Sequence, residues 1–324
     1  MKSLKQESRA GKVFDTIIGV PEITILIPVV LTLILGSFLS PVFLTVTNMM
    51  NIIRSVSYYG IIAIFMTKLL MSRSLDLSCD SVAAFSSVLF AWLLMNADVS
   101  IPLAIIIALA CSVVIGLVNA ILIQKFSIPP FVATLGMMFM MRGIALIVSG
   151  GGFVMIAGIE MNAENRFLGM TMDVFVFIGL AVLADLVLRF TGTGRKNKLM
   201  GTNLEAAKLS GINTIAIATS LHILTAMAAS LGGILFTMRS SIGAISVGTG
   251  WALQAITGCI LGGTSLRGGK GSVLGSVLGV FFMGLVTNLM ILYNIRAEWQ
   301  NVGIGIFMIF GILLEVYRSR KLSG

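Results

Sequence analysis

Long apolar stretches separated by short polar or basic segments fill the chain from about residue 21 to its end. A helix crosses the hydrocarbon core of a bilayer with about 20 mainly apolar residues. We therefore predict ten transmembrane helices, at about 21–40, 52–71, 80–97, 101–124, 129–149, 172–190, 214–238, 250–266, 272–292 and 299–317. This pattern predicts an all-α polytopic membrane protein in which residues 1–324 form a single integral membrane domain.

The distribution of lysine and arginine orients these helices. Cytoplasmic loops of membrane proteins carry an excess of basic residues. If the N-terminus is cytoplasmic, the outer side receives only five of the 22 basic residues, namely Arg54, Arg142, Arg166, Arg239 and Arg296. Both termini are therefore predicted to be cytoplasmic, with tails at 1–20 and 318–324.

The basic segment 191–213 is predicted to be a cytoplasmic loop that contains a short helix. Asn203 is a favourable residue to cap the start of this helix, and Gly211 is a favourable residue to end it. The residues between them include alanine and leucine, which favour helix interiors. A short helix in a cytoplasmic loop of a transporter is suited to serve as a docking surface.

The two halves of the chain show a weak internal repeat. Residues 74–82 resemble 265–273, and residues 116–119 resemble 284–288. Transporters are often built from such repeats, with the solute path at their interface. Irregular backbone at membrane depth requires protein or a water-filled cavity around it. We therefore predict helix breaks or tight turns near the inner mouth of a path, at 72–81 and 262–272.

Composition supports the membrane class and excludes several others. Charged residues make up 11% of the chain and hydrophobic residues 57%, whereas soluble domains contain about 25% charged residues. The net charge of +9 comes from short clusters between apolar blocks, so a nucleic-acid partner is not expected. The three cysteines lie far apart and are interpreted as buried small hydrophobes.

No catalytic or cofactor-binding constellation is visible. A phosphate-binding P-loop requires Gly, four residues, and Gly-Lys followed by Ser or Thr. Here Thr264 occupies the leading position and Gly271 follows Lys270, so the chain is not expected to hydrolyse ATP by itself. The one histidine, His222, is interpreted as a packed or hydrogen-bonded helix residue. We predict a transport subunit that is not an enzyme and that has no cofactor or metal.

Several motifs resemble those of the membrane permeases of ribose/arabinose/galactose-type bacterial ABC importers, a family with autoinducer and nucleoside relatives. The resemblance covers about residues 45–315. It is carried, in order, by 75–82, 125–143, 201–213, 261–266, 268–272 and 299–300.

The resemblance implies a multi-pass protein of the bacterial inner membrane that imports a monosaccharide or sugar-like solute. It also implies a cytoplasmic ATP-binding subunit, a periplasmic solute-binding protein, and a second permease in a homodimer or a pair with a sister chain. The short helix in 191–213 would be the coupling helix that fits the ATPase, through Asn203, Glu205, Ala206, Ala207 and Gly211.

Polar residues within the apolar stretches are candidates for lining the translocation path. For each of them, hydrogen bonding between helices is the alternative interpretation. The candidates are Asp76, Ser78, Asn119, Thr134, Gln254, Thr264 and Asn288.

Some residues depart from the family pattern. Arg73-Ser74 stands where the family usually has Gly-Gly, and Asp80 where it usually has Gly; Thr202 often corresponds to a second Gly. Larger or charged residues at these places are expected to alter close packing, the gate or the solute.

Three alternatives to a sugar permease remain open at this stage. One is a nucleoside permease of the same family. Another is a stand-alone secondary transporter or channel, for which Arg142 and Asp76 would be the candidate buried ionisable residues. The last is a membrane enzyme, which would require a cluster of His, Asp and Glu.

Overall fold

The computed structural model describes residues 21–159, 166–167 and 170–323, so the predicted tail 1–20 lies outside the described residues. These residues are mainly helical. The elements are α1 (Pro21–Leu39), α2 (Val46–Met71), α3 (Cys79–Asn96), α4 (Ile101–Gln124), α5 (Pro130–Val148), β1 (Phe153–Met155), β2 (Arg166–Phe167), β3 (Met170–Thr171), α6 (Met172–Phe190), α7 (Gly192–Thr202), α8 (Leu204–Leu209), α9 (Thr214–Ser240), β4 (Ile242–Ala244), α10 (Trp251–Leu261), α11 (Val273–Leu292) and α12 (Ala297–Ser323).

Within the described residues, seven helices are long and apolar enough to cross a membrane: α1 to α5, α9 and α11. The pair α6 and α7, bent by 72°, would add an eighth span, and α10 and part of α12 are shorter apolar helices. The prediction of a polytopic α-helical membrane protein is confirmed. The count of ten spans and the cytoplasmic position of both termini stay predictions.

Helices α2 and α9 form the centre of the bundle. α2 packs against α6, α9, α10 and α11, and α9 also packs against α3 and α4. In the most apolar stretches of α2 and α9, 67% of the residues are buried, and in that of α3, which packs on α9, 72%, whereas in α1 the share is only 17%. The outer helices expose large apolar side chains such as Phe38 and Ile147, as expected for helices that face lipid tails.

The helices α2 and α10 end in the same backbone geometry. At the end of α2, the Arg73 N–H donates to the Leu70 carbonyl (2.9 Å) and the Ser74 N–H to the Leu69 carbonyl (3.1 Å). At the end of α10, the N–H groups of Gly263 and Thr264 make the equivalent bonds to Ile260 and Cys259, both 2.9 Å. This is the Schellman pattern, which requires a left-handed residue just beyond the helix. Arg73 (φ 62°) and Gly263 (φ 87°) have that conformation.

The two terminations create the breaks that the repeat predicts. Non-helical residues 72–78 separate α2 from α3, and residues 262–272 separate α10 from α11. The predicted span 250–266 is therefore shorter in the structure, because the left-handed Gly263 stops the helix at Leu261.

Short strands that the sequence analysis did not predict join the segments after α5 and α9. β1 pairs antiparallel with β4, with Phe153 opposite Ala244 and Met155 opposite Ile242. The segment after β4 then runs along α3 towards the start of that helix. Its contacts move from Ser87, which accepts from the Ala244 N–H (3.3 Å), to Asp80, which accepts from the Gly250 N–H (2.9 Å).

Candidate coupling and translocation site

A buried polar network holds the break between α2 and α3. The Asp76 carboxylate accepts hydrogen bonds from the Ser78 N–H (2.8 Å) and the Ser78 hydroxyl (2.5 Å). The Asn119 amide of α4 donates to the Ser78 hydroxyl oxygen (3.0 Å) and, at 3.4 Å, to Asp76. All three side chains have no solvent exposure. The break is therefore fixed to α4 by groups that need each other as partners, since unpaired buried polar groups are costly.

The same network reaches α9 through His222. The His222 Nε2 atom lies 3.0 Å from the Ser74 hydroxyl, and its Nδ1 atom lies 3.8 Å from the Asp76 carboxylate. His222 is completely buried. Among the described residues, no three His, Cys, Asp or Glu side chains are grouped so that they could hold a metal ion.

The other predicted path residues lie apart from this network. Thr134 donates to the Pro130 carbonyl within α5 (2.8 Å), and Thr264 lies 3.2 Å from the Ser276 hydroxyl of α11. Both are fully buried. Asn288 exchanges two amide hydrogen bonds of 2.9 Å with Asn48 and is half-buried. Gln254, in the first turn of α10, is also half-buried.

Two charged residues fix the segment that leads into α10. The Asp80 carboxylate, at the start of α3, accepts from the N–H groups of Gly250 (2.9 Å) and Ala252 (2.6 Å). An acidic side chain is favourable at the positive end of a helix, and here it is supplied by another helix. Arg142 of α5 donates to the Ile245 carbonyl and, at 3.4 Å, to the Val247 carbonyl. Asp80 and Arg142 are both half-buried.

A further polar and aromatic cluster was not identified from the sequence. Asp173, which begins α6, lies 3.8 Å from the buried Arg54 guanidinium and accepts from the Tyr58 hydroxyl at 3.1 Å. The Tyr58 ring stacks on Trp251 with centroids 5.9 Å apart. Arg54, a charge inside an apolar stretch, is the sequence signal that points to this cluster, because such residues need a partner.

The short helix predicted within 191–213 is present as α8. The Asn203 side chain accepts from the Ala206 N–H (3.0 Å) at its start, and Gly211 (φ 75°) follows its end. Glu205 forms an exposed ion pair with Lys208 at 3.2 Å.

One face of α8 is anchored and the other is free. Ala207 is buried against Met200 of α7 and Ala218 of α9, whereas Ala206 and Glu205 are exposed. Leu209, a residue that the sequence analysis did not single out, is 89% exposed. Its signal in the sequence is an apolar side chain at the end of the predicted short helix, within a basic loop.

The segment before α8 packs directly on the ends of the membrane helices. The Asn197 amide donates to the Lys68 carbonyl of α2 (3.0 Å). The Gly269 N–H, in the break after α10, donates to the Met71 carbonyl at the end of α2 (2.8 Å). Gly201, at the end of α7, packs so closely against Met71 and Gly269 that an added Cβ would overlap the Met71 carbonyl oxygen. The ends of α2 and α7 and the turn at Gly268-Gly269 therefore form one contiguous junction, adjacent to α8.

The family model and the similar proteins that match this chain all describe permeases of import systems. Residues 48–312 match the model of the family described as the branched-chain amino acid transport system permease component. The chain is 31% identical over 297 residues to the ribose import permease protein RbsC of Escherichia coli (strain K12), covering 90% of this chain and 92% of that protein. It is 32% identical over 290 residues to RbsC of Bacillus subtilis (strain 168), covering 88% and 90%.

A relative with another stated cargo is equally similar. The autoinducer 2 import system permease protein LsrC of Salmonella choleraesuis (strain SC-B67) is 32% identical over 301 residues, covering 92% of this chain and 86% of the relative. No solved structure matches the chain significantly.

These matches confirm several predictions made from the sequence. The chain is a permease subunit of an ABC importer in the bacterial inner membrane. It is a transport subunit, and ATP is hydrolysed by a separate subunit. A permease of this kind works with an ATPase and a solute-binding partner. The chain thus belongs to the family of permease components of the branched-chain amino acid transport system type.

Proposed function

We propose that this chain translocates a monosaccharide or a sugar-like solute and receives the energy of ATP hydrolysis through α8. The observation that carries the proposal is the form of α8. It is capped at both ends, fixed on one face through Ala207, and presents Leu209 and Ala206 to solvent. The cargo is supported by relatives that are named for ribose and autoinducer 2 import.

The proposed assembly contains a second permease, either another copy of this chain or a sister chain, within the lipid bilayer. A cytoplasmic ATP-binding subunit docks on α8, and a periplasmic solute-binding protein docks on the opposite face. The basic loop 191–213 supports a cytoplasmic position for α8, because basic loops remain on that side. The solute-binding protein supplies most of the affinity, so the permease path needs to be only weakly polar.

The proposed mechanism is alternating access. Closure of the ATPase subunits displaces α8, and with it the junction formed by the ends of α2 and α7 and the turn at Gly268-Gly269. The breaks at 72–78 and 262–272 adjoin that junction, so its movement opens the path first outward and then inward. Broken helices near a binding site are a recurrent device of transporters.

The predicted path residues divide into two groups in this proposal. Gln254 is half-buried and lies one helical turn after Gly250, whose N–H donates to the half-buried Asp80, so this part of α10 is the proposed solute route. Asn288 is half-buried but paired with Asn48. The fully buried residues support the wall of the path by hydrogen bonds, namely Asp76, Ser78, Asn119, Thr134 and Thr264.

Substitution of Leu209 by aspartate tests the docking of the ATPase. We expect Leu209→Asp to reduce the amount of ATP-binding subunit that co-purifies with the permease by about tenfold, because it removes apolar area from the contact and places an unpaired carboxylate there. The fold should be preserved, since Leu209 is 89% exposed. The measurement is the ratio of the two subunits after affinity purification in lipid.

The matched control is Thr193→Asp, which adds the same charge at an exposed position of the same loop. This variant should retain normal amounts of the ATPase. Undiminished association of Leu209→Asp would show that α8 is not the docking element.

A further inference from the structure

Arg73 occupies an unusual backbone position for a long side chain. It is the residue just beyond α2 and has a left-handed conformation (φ 62°), for which helix ends favour glycine. Residues held in disfavoured conformations are often found where the structure performs a task.

The Arg73 guanidinium binds the end of α7. Its Nε atom donates to the Gly201 carbonyl (2.7 Å) and one terminal nitrogen donates to the Thr202 carbonyl (2.8 Å). The last carbonyls of a helix have no partner within the helix and form its negative end. A guanidinium satisfies two of them at once because its donors are held in a rigid fork, whereas an ammonium group is a point charge.

The bonded carbonyls lie immediately before α8. Thr202 is followed by Asn203, whose side chain caps the first turn of α8. Arg73 therefore holds the joint at which the proposed coupling helix begins. The break after α10 encloses the same side chain, since a Cβ on Gly268 would lie 2.5 Å from the Arg73 Cγ atom.

Along the chain, Arg73 immediately precedes residues of the buried network at the break between α2 and α3. The next residue, Ser74, lies 3.0 Å from His222. Asp76, two residues further on, accepts hydrogen bonds from Ser78 and, at 3.4 Å, from Asn119. The short segment 73–78 thus connects a contact with the cytoplasmic loop to contacts with α4 and α9 inside the bundle.

We propose that Arg73 is a positioning residue that transmits displacement of α8 to the break between α2 and α3. The inference rests on the proposed role of α8 in receiving movement from the ATPase. In the absence of the guanidinium, the α7–α8 joint keeps its contact with the ATPase but no longer moves the segment 73–78. ATP hydrolysis then continues with less transport.

Arg73→Gly tests this proposal because its effects on stability and on coupling should differ. Glycine adopts the left-handed conformation without strain, so the thermal unfolding temperature of the purified permease should be unchanged or higher. The co-purified amount of ATPase should also be unchanged. The number of solute molecules transported per ATP hydrolysed, measured in proteoliposomes with the solute-binding protein, should fall by about tenfold, within the usual range of coupling between sites.

Two further variants make the result specific. Arg73→Lys keeps the charge but not the fork, so it should restore coupling only in part. Lys196→Ala removes a positive charge from an exposed position of α7 and should leave coupling unchanged.

Three results would overturn the proposal. The first is an unchanged number of solute molecules transported per ATP in Arg73→Gly. The second is a loss of ATPase from the purified Arg73→Gly complex. The third is a fall in transport per ATP that is accompanied by a lower unfolding temperature of this variant. The Leu209→Asp variant separates this failure from that of the proposed function. If Leu209→Asp loses the ATPase while Arg73→Gly transports normally, α8 still docks the ATPase and only the assignment of Arg73 is wrong.

Discussion

Gly201→Ala is expected to abolish transport, whereas Gly192→Ala in the same helix should have almost no effect. A Cβ at Gly201 would overlap the Met71 carbonyl oxygen and lie 2.5 Å from the Gly269 nitrogen. Both obstacles are backbone atoms that cannot rotate away, so the end of α7 must separate from α2. A Cβ at Gly192 meets nothing within 4 Å, and alanine is the better helix residue.

The measurement is solute uptake into proteoliposomes, with the unfolding temperature recorded for each variant. Forcing extra atoms into a packed contact costs about 1–3 kcal/mol, so Gly201→Ala should also unfold at a lower temperature. Equal uptake by the two alanine variants would show that the junction of α2, α7 and the turn at Gly268-Gly269 is not needed in its observed form.

Asp76→Ala should cause the largest loss of stability among substitutions of single polar residues in the bundle. The change removes the acceptor for the Ser78 N–H and hydroxyl, and one of the two acceptors of the Asn119 amide, all without access to water. Leaving such buried groups without a partner costs about 1–3 kcal/mol each. We therefore expect little folded protein in the membrane and a markedly lower unfolding temperature in detergent.

Asp76→Asn is the matched comparison for this substitution. Asparagine keeps one acceptor oxygen for Ser78 at nearly the same volume, so much of the lost stability should return. An Asp76→Ala protein that unfolds at the same temperature as the unchanged protein would show that the network does not stabilise the break.

Local sequence patterns predicted the helices well and their mutual arrangement poorly. Apolar length places a helix at each predicted stretch, and Asn203 and Gly211 bracket α8 because caps act within a few residues. The pairing of β1 with β4 was not predicted, because it joins segments about 90 residues apart that are only three residues long. The central position of α2 and α9 was also not visible, since membrane helices are apolar on every side.

For the candidate residues, too, the sequence indicated which residues matter but not which neighbours they contact. Sequence reasoning named seven polar residues as candidates for lining a path, and the structure brings three of them, Asp76, Ser78 and Asn119, into contact. It did not indicate that they are fully buried, because burial depends on which helices are neighbours. Arg73 and Asp80 were noted as departures from the family pattern. Their partners, the end of α7 and the start of α10, are distant in sequence and became evident only in the fold.

The measurement that tests the central claim most directly is solute-stimulated ATP hydrolysis by the reconstituted complex. The permease is purified in lipid with its ATP-binding subunit and solute-binding protein, and pentoses, hexoses and nucleosides are compared. We expect one sugar or sugar-like solute to stimulate hydrolysis together with uptake, and the loss of both in Gly201→Ala. Stimulation by a nucleoside alone would assign a different cargo to the same machinery. Uptake driven by an ion gradient, with no ATPase bound to the chain, would contradict the account.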